Sequence, residues 1–264
     1  VLDGFTITGG IGREMYTTIK VKGVTISRMD AGGLYGADDA SPVLHNLIFR
    51  GNWGYHGGGI GGVATPVISN ITFIQNVGTL GAGMWSGNNF TIRNAVFIGN
   101  RASNGGGIGF NNNASTVYPV IENATFVGNY AATSGGAIYN LKNAQTTLKN
   151  SVIIGNKSGI FNGTGTATDV HNSLVQDLSN TDQGNLDATN VQPEDVFIDF
   201  AHGNYRLKHG SPAIDKGSNS IYTGNLQTDL DVSRFKRQMG SRIDMGAYEY
   251  GIPPVISHLD GDIF

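Results

Sequence analysis

One eight-residue pattern returns along this chain at a nearly fixed interval, and it decides the fold class before composition is consulted. The stretches HNLIFRGN (45–52), SNITFIQN (69–76), RNAVFIGN (93–100), ENATFVGN (122–129) and KNSVIIGN (149–156) align on their first Asn. A decaying copy, HNSLVQ, occupies 171–176, and two earlier copies, DGFTIT (3–8) and KGVTIS (22–27), place Gly at the Asn position. The anchors Gly4, Gly23, Asn46, Asn70, Asn94, Asn123, Asn150 and Asn172 are separated by 19, 23, 24, 24, 29, 27 and 22 residues. Self-similarity at a period of 20 to 50 residues is the signature of a stacked solenoid.

Each copy alternates as a strand does. Phe49, Phe73, Phe97, Phe126 and Ile153 share one position, and Leu47, Ile71, Ala95, Ala124 and Ser151 lie two residues earlier on the same face. A short strand before the Asn supplies Leu44, Ile68, Ile92, Ile121 and Leu148, and a third, after the glycines, supplies Ile60, Met84, Ile108 and Ile138. Three short strands per turn, with no helical stretch, predict a parallel β-helix whose coils stack at about 4.8 Å. Asn46, Asn70, Asn94, Asn123 and Asn150 then form one ladder, because Asn tolerates left-handed turns and its amide can bond the coils above and below. Asn52, Asn76, Asn100, Asn129 and Asn156 form a second. The glycine clusters at 57–59, 81–83, 105–107 and 135–136 supply positive φ and close backbone approach.

Composition agrees. Forty glycines and 14% charged residues accompany 39% hydrophobic content, and no Gly-X-Y period suggests collagen. A net charge of −3 leaves no electrostatic footprint for nucleic acid. The absence of cysteine removes disulfides and thiol chemistry, and no apolar run approaches the ~18 residues of a membrane span. The opening VLDGFTITGG lacks Met and a signal-peptide pattern, so the chain is expected to be a piece of something longer.

The pairing of FRGN, FIQN, FIGN and FVGN with GGGI (57–60), GAGM (81–84), GGGI (105–108) and GGAI (135–138) resembles the repeats of chlamydial polymorphic outer-membrane proteins and related bacterial β-helix surface proteins. That resemblance covers roughly residues 40–160. It implies an all-β, single-stranded, right-handed parallel β-helix of the pectin-lyase-like class with a C-terminal capping segment, and a secreted or cell-surface adhesin. Farther on, FID, GNYRL, SPAIDKG, TDLD and IDMGAYEY (197–250) resemble the terminal segment of bacterial choice-of-anchor Q proteins. The organisation read from the chain is coils over 1–178, a cap over 179–250, and a linker over 251–264 into a following module, marked by Pro253-Pro254. The cap is expected to close the open end of the solenoid. Its Asp215, Asp229, Asp231, Asp244 and Glu249, interleaved with Arg234, Arg237 and Arg242, read first as a salt-bridge and turn network. The other readings are a Ca²⁺ site or a hydrolytic carboxylate pair.

No catalytic or metal-binding residue is assigned. Acids in the repeats are scarce (Asp30, Asp38, Asp39, Glu122, Asp169) and do not recur at one register. The column before the ladder Asn carries Lys22, His45, Ser69, Arg93, Glu122, Lys149 and His171. It is expected to form a surface ion-pair ladder, with a lyase-like Arg beside an acid as the alternative. Two features suggest binding. Thr72, Ile74, Val96, Ile98, Thr125 and Val127 point outward beside the Phe column as a flat β-branched face, of the kind that marks contacts unless a cap or loop covers it. Trp53, Tyr55, His56, Trp85 and Tyr130 lie in or beside the glycine turns, where aromatics either stack on sugars or pack locally. Trp53, Tyr55 and His56 set bulk where other coils are small. The expected function is a non-catalytic adhesin-like module or stalk with a cell-surface or polysaccharide ligand, no cofactor beyond an open Ca²⁺ option, and neighbouring domains of the same polypeptide as partners. The alternative is a polysaccharide lyase or glycoside hydrolase.

Overall fold

The computed structural model describes residues 1–12, 17–21, 23–37, 40–62 and 64–251. Lys22, Asp38, Asp39 and the tail 252–264 lie outside them. The described chain is a parallel β-helix with three sheets. The first has eleven strands, among them Val43–Arg50, Val67–Ile74, Thr91–Ile98 and Val120–Val127 in parallel register. The second stacks Trp53–His56, Val77–Leu80, Arg101–Asn104 and Tyr130–Ser134. The third runs from Leu34–Gly36 through Ile60–Gly62, Met84–Ser86, Ile108–Asn111 and Ile138–Lys142 to Ile160–Asn162.

The two strands expected on either side of the first Asn belong to one sheet that bends there. Asn46, Asn70, Asn94, Asn123 and Asn150 have φ of 51, 53, 52, 49 and 49°, a left-handed kink that Asn accommodates. The second Asn ladder is buried inside. Each backbone N–H and Nδ2 donates to the Oδ1 of the next coil, as from Asn76 to Asn100 (both 3.0 Å) and from Asn100 to Asn129 (3.0 and 2.9 Å). Each Nδ2 also donates to a carbonyl nearer the N-terminus, as Asn100 does to Phe73 O at 3.0 Å. Gly10 N–H begins the ladder on Asn52, and Gln176 ends it by accepting from Asn156. The decaying copy HNSLVQ therefore ends on a ladder stop.

Beside it the phenylalanines stack, with centroids 5.4, 4.7 and 4.4 Å apart from Phe49 to Phe126 and ring planes as close as 1°. The glycine clusters are shaped to this stack. A Cβ on Gly107 would lie 2.7 Å from Phe126 Cδ1 and 2.6 Å from Ala137 O. Gly59 and Gly83 stand in the same relation to Phe73 and Phe97. Where the cluster reads GGAI, with Ala137 third, the following coil carries Ile153 in place of Phe.

The copy KGVTIS leaves the stack. Thr18–Val21 and Val24–Ser27 pair antiparallel as a hairpin with Gly23 in the turn (φ 86°), while Leu2 and Ile7 register directly on Leu44 and Phe49. The hairpin is thus an insertion into a coil: Gly10 and Ile11 register on Asn52 and Trp53 before it, and the Met29 and Asp30 carbonyls accept from Tyr55 and His56 after it. The second sheet was not expected, because its inward residues Gly54, Gly78, Ala102 and Ala131 are too small to write an apolar alternation.

Closure of the last coil falls to residues 176–186. Leu178 packs on the main core, and Leu186–Asp187 adds a final parallel pairing to Leu174–Val175. The rest of the segment expected as an end cap lies along the flank, on the outer face of the first sheet. Val196, Phe197, Leu207, Ala213 and Met245 join Val127, Val152, Ile154 and Leu174 in a second apolar cluster. Gly246 N–H donates to Asn150 O and Ala247 N–H to Thr125 Oγ1. The first Asn ladder serves as its attachment: Asn94 Nδ2 donates to Leu230 O, and Asn150 exchanges bonds with Ser218.

The segment is held by buried charge. Arg237, fully buried, pairs with Glu249 Oε1 at 2.6 Å and donates to Asp244 O and Gly246 O. Asp231 accepts from the backbone of Ser233, Phe235 and Glu249, and Asp244 from Asp215 and Tyr250. Three buried carboxylates share one guanidinium. Burial pushes Glu249 up to about 8 and also raises Asp231 and Asp244; nearby carboxylate charge adds to the Glu249 shift, and Arg237 opposes it. Glu249 begins from an ordinary 4.5, so between 4.5 and 8 the folded chain holds a proton that the unfolded chain has released. Stability is therefore present in full below that window and falls as pH rises through it, on the order of 2–4 kcal/mol in all. Thermal melts should give a higher Tm at pH 5 than at pH 8.5, with the slope flattened in Glu249→Gln; a flat or rising profile would contradict the assignment.

Candidate functional site

Covering the flank decides which surfaces remain. Val96, Thr125 and Val127 are buried and Ile98 packs against the second apolar cluster, so the expected β-branched docking face is lost over these coils. Thr72 and Ile74 stay half-buried one coil earlier. The ion ladder has the expected partners in a different environment. Arg93 Nε lies 2.9 Å and Lys149 Nζ 3.5 Å from Glu122, but Glu122 is fully buried and Thr223 closes over the cluster through its N–H and hydroxyl. The expectation of a surface ladder fails because a segment a hundred residues away folds back on it. Arg93, the arginine of the lyase-like alternative, is engaged with Glu122 through Nε and with Thr223 Oγ1 through Nη2.

The second and third sheets keep outward faces. On the second, register places Trp53, Val77, Arg101 and Tyr130 in one column, with Lys157 following. Arg101 Cζ sits 4.2 Å and Lys157 Nζ 4.5 Å from the Tyr130 ring centroid. Lys157 also donates to the Tyr130 hydroxyl at 3.2 Å, which holds that phenol below its usual range. No acid occurs in the four strands WGYH, VGTL, RASN and YAATS.

On the third sheet the outward column reads Tyr35, Gly61, Trp85, Gly109, Tyr139, Phe161. The Trp85 indole lies over Gly109, where a Cβ would come within 2.5 Å of Cε3, and Tyr139 stacks on Phe161 at 5.1 Å. At the corner between the sheets, His56 Nδ1 meets Asp30 Oδ1 at 2.9 Å. The His56 ring stacks on Trp85 at 5.7 Å and 20°, and Tyr55 approaches it edge-on at 4.7 Å. Asp30 comes from the coil where it resumes after the hairpin, running beside this strand with Met29 O and Asp30 O accepting from Tyr55 and His56. A cleft of about 130 Å³ opens here between Asp30, Tyr35, His56, Gly62, Trp85, Gly87 and Asn111.

Of the aromatic candidates, the structure brings His56 and Trp85 into one cleft, with Tyr55 against its wall. Trp53 and Tyr130 belong to the neighbouring strip. Sequence reasoning named Asp30 only as a scarce acid and passed over Tyr35 and Asn111. The strand periodicity of the third sheet could have placed Tyr35 above Trp85; nothing local marks Asp30, whose contact spans 26 residues. A larger cavity of about 300 Å³ at the C-terminal end of the coils is lined by Asn162, Asp169, Gln176, Asp177 and Asn185 among others, whose side chains already bond neighbouring side chains or the backbone. Among the described residues no three His, Asp or Glu side chains converge in a way that could hold a metal ion, and no helix is long and apolar enough to cross a membrane.

No curated protein and no solved structure matches the chain. Residues 9–175, well over half of it, match the family described as the right-handed β-helix region. With three parallel sheets wound into one stack, the chain belongs to the right-handed β-helix family.

Proposed function

We propose that this chain is a non-catalytic, extracellular or cell-surface module of a larger bacterial adhesin-like protein, and that it holds polysaccharide on the outer face of its second sheet. The observation that carries the reading is the acid-free column Trp53, Val77, Arg101, Tyr130 and Lys157. It repeats at the coil spacing of about 4.8 Å, so a polymer lying along the stack meets an aromatic or cationic group at every step but that of Val77. Tyr130, gripped between two cations, presents its ring edge and hydroxyl beside their N–H donors, fixed for hydrogen bonding to a glycan. The strands of this sheet are hydrogen-bonded to their neighbours along the stack, so an extended peptide lying on the face could not add to it as a strand. The repeat resemblance to chlamydial surface proteins and the choice-of-anchor-like C-terminal segment fit the same placement. The reading calls on no cofactor.

Affinity electrophoresis through gels containing neutral and acidic polysaccharides tests it. The wild type should be retarded, most by acidic polymers and less as salt screens the two cations. Arg101→Ala and Tyr130→Ala should each weaken retention by about five- to tenfold. Equal mobility in every gel would remove the binding reading and leave a stalk. New ultraviolet absorbance from an unsaturated uronate end would transfer the chain to the polysaccharide lyases.

A further inference from the structure

We infer that the cleft at the corner between the second and third sheets is a second site, separate from the strip, which takes a single neutral pyranose residue. The chemistry of its lining selects the ligand. Among the described residues the cleft is lined by one carboxylate, Asp30, and by neither Lys nor Arg. A uronate or sulfated sugar finds no cation there to offset the charge of Asp30, and a hydroxyl-rich neutral ligand needs none. Asp30 Oδ1 takes the Nδ1–H of His56, which leaves Oδ2 to accept from sugar hydroxyls. The same bond places a proton on Nδ1, so in the corresponding neutral tautomer Nε2 is the acceptor. Asn111 contributes an amide whose Oδ1 is buried with no donor among the described residues. A half-turn of that amide exchanges donor for acceptor, so it can complete its bonding with a ligand hydroxyl in either sense.

The walls suit a sugar ring as well. Gly62 and Gly87 bring backbone to the cleft without side chains, and the stacked Trp85 and His56 rings line it with aromatic edges. At about 130 Å³ the cleft is well below the ~300–1,000 Å³ of pockets for drug-sized ligands. It accommodates one ring, as at the end of a glycan chain.

Tryptophan fluorescence reads this directly, because the chain has two tryptophans and only Trp85 lines the cleft. In Trp53→Phe, titration with glucose, galactose or mannose should shift the emission with a dissociation constant in the millimolar range for at least one of them. Glucuronate should bind at least about tenfold more weakly than the best neutral sugar. Asp30→Asn should lose about tenfold in affinity, and Asn111→Ala about fivefold, with circular dichroism melts reporting whether each variant is folded. Asn111, at a strand end and half-exposed, keeps the test open if the Asp30 variant unfolds. The inference is overturned by silence toward every neutral sugar, by tighter binding of glucuronate, or by folded variants that both bind as the parent does. If the cleft is silent while polysaccharide gels still retard the wild type, only the cleft assignment falls. Silence in both assays removes the polysaccharide-binding reading with it.

Discussion

Asn100→Leu should lose about 3–5 kcal/mol of folding stability, more than its near-isosteric size change suggests. In the native ladder Asn100 Oδ1 accepts from both Asn76 N–H and Asn76 Nδ2, and its own Nδ2 donates to Phe73 O and Asn129 Oδ1. Leucine fills the space and makes none of these bonds. Asn76 Nδ2 keeps Phe49 O and Asn129 Oδ1 keeps the Asn100 N–H, but Asn76 N–H is left buried with no acceptor. A stranded buried donor costs about 1–3 kcal/mol, and the weakened neighbours in the same polarised chain add to it. Position along the ladder sharpens the test. Gln176→Leu, at the terminus, disturbs only Asn156 on the ladder and should cost less than half as much. Urea unfolding midpoints at constant slope provide the comparison. A loss below ~1 kcal/mol at Asn100 would mean that the core aromatics alone set the register of the coils.

That ladder was legible because stacking imposes identity. A residue whose neighbours above and below are copies of itself must recur in the sequence, so Asn52, Phe49 and their equivalents declared the architecture. Where the same geometry asks only for smallness, the signal vanishes, as it did for the sheet built inward on Gly54, Gly78, Ala102 and Ala131. Where a different geometry asks for the same residues, the signal misleads. Gly23 sits at positive φ between alternating strands because it turns a hairpin, and its spacing from Gly4 imitates a coil. The sites divide along the same line. His56 and Trp85 stood out as bulk among small residues, whereas Asp30 reaches them from a coil whose repeat the hairpin interrupts. Burial of Arg93, Glu122 and Lys149 depends on Thr223 and Ile221, and no local pattern carries a contact at that distance.

The largest effect outside the ladder is expected at Arg237, where Arg237→Met should cost about 3–5 kcal/mol and release the C-terminal segment from the flank. The guanidinium is the one cation among Asp231, Asp244 and Glu249, and all four side chains are buried. Methionine can replace the stem but leaves those carboxylates uncompensated, and an unpaired buried charge is far costlier than a missing pair. Release would uncover Val96, Val127, Val152 and Ile154, so binding of a hydrophobic dye should rise, and proteolysis should begin within the segment while the coils resist. The size of the loss reflects stranded charge more than any intrinsic worth of the ion pair, and this can be separated experimentally. Glu249→Gln removes one carboxylate that already sits high in its titration range, so on its own it should be mild. At pH 9, where the paired Glu249 is ionised, placing Glu249→Gln together with Arg237→Met should recover at least ~1 kcal/mol, a coupling that a double-mutant cycle measures. If the double variant is no more stable than Arg237→Met alone, the segment is held by its apolar cluster and the carbonyl bonds of Arg237, and the charges are incidental to its attachment.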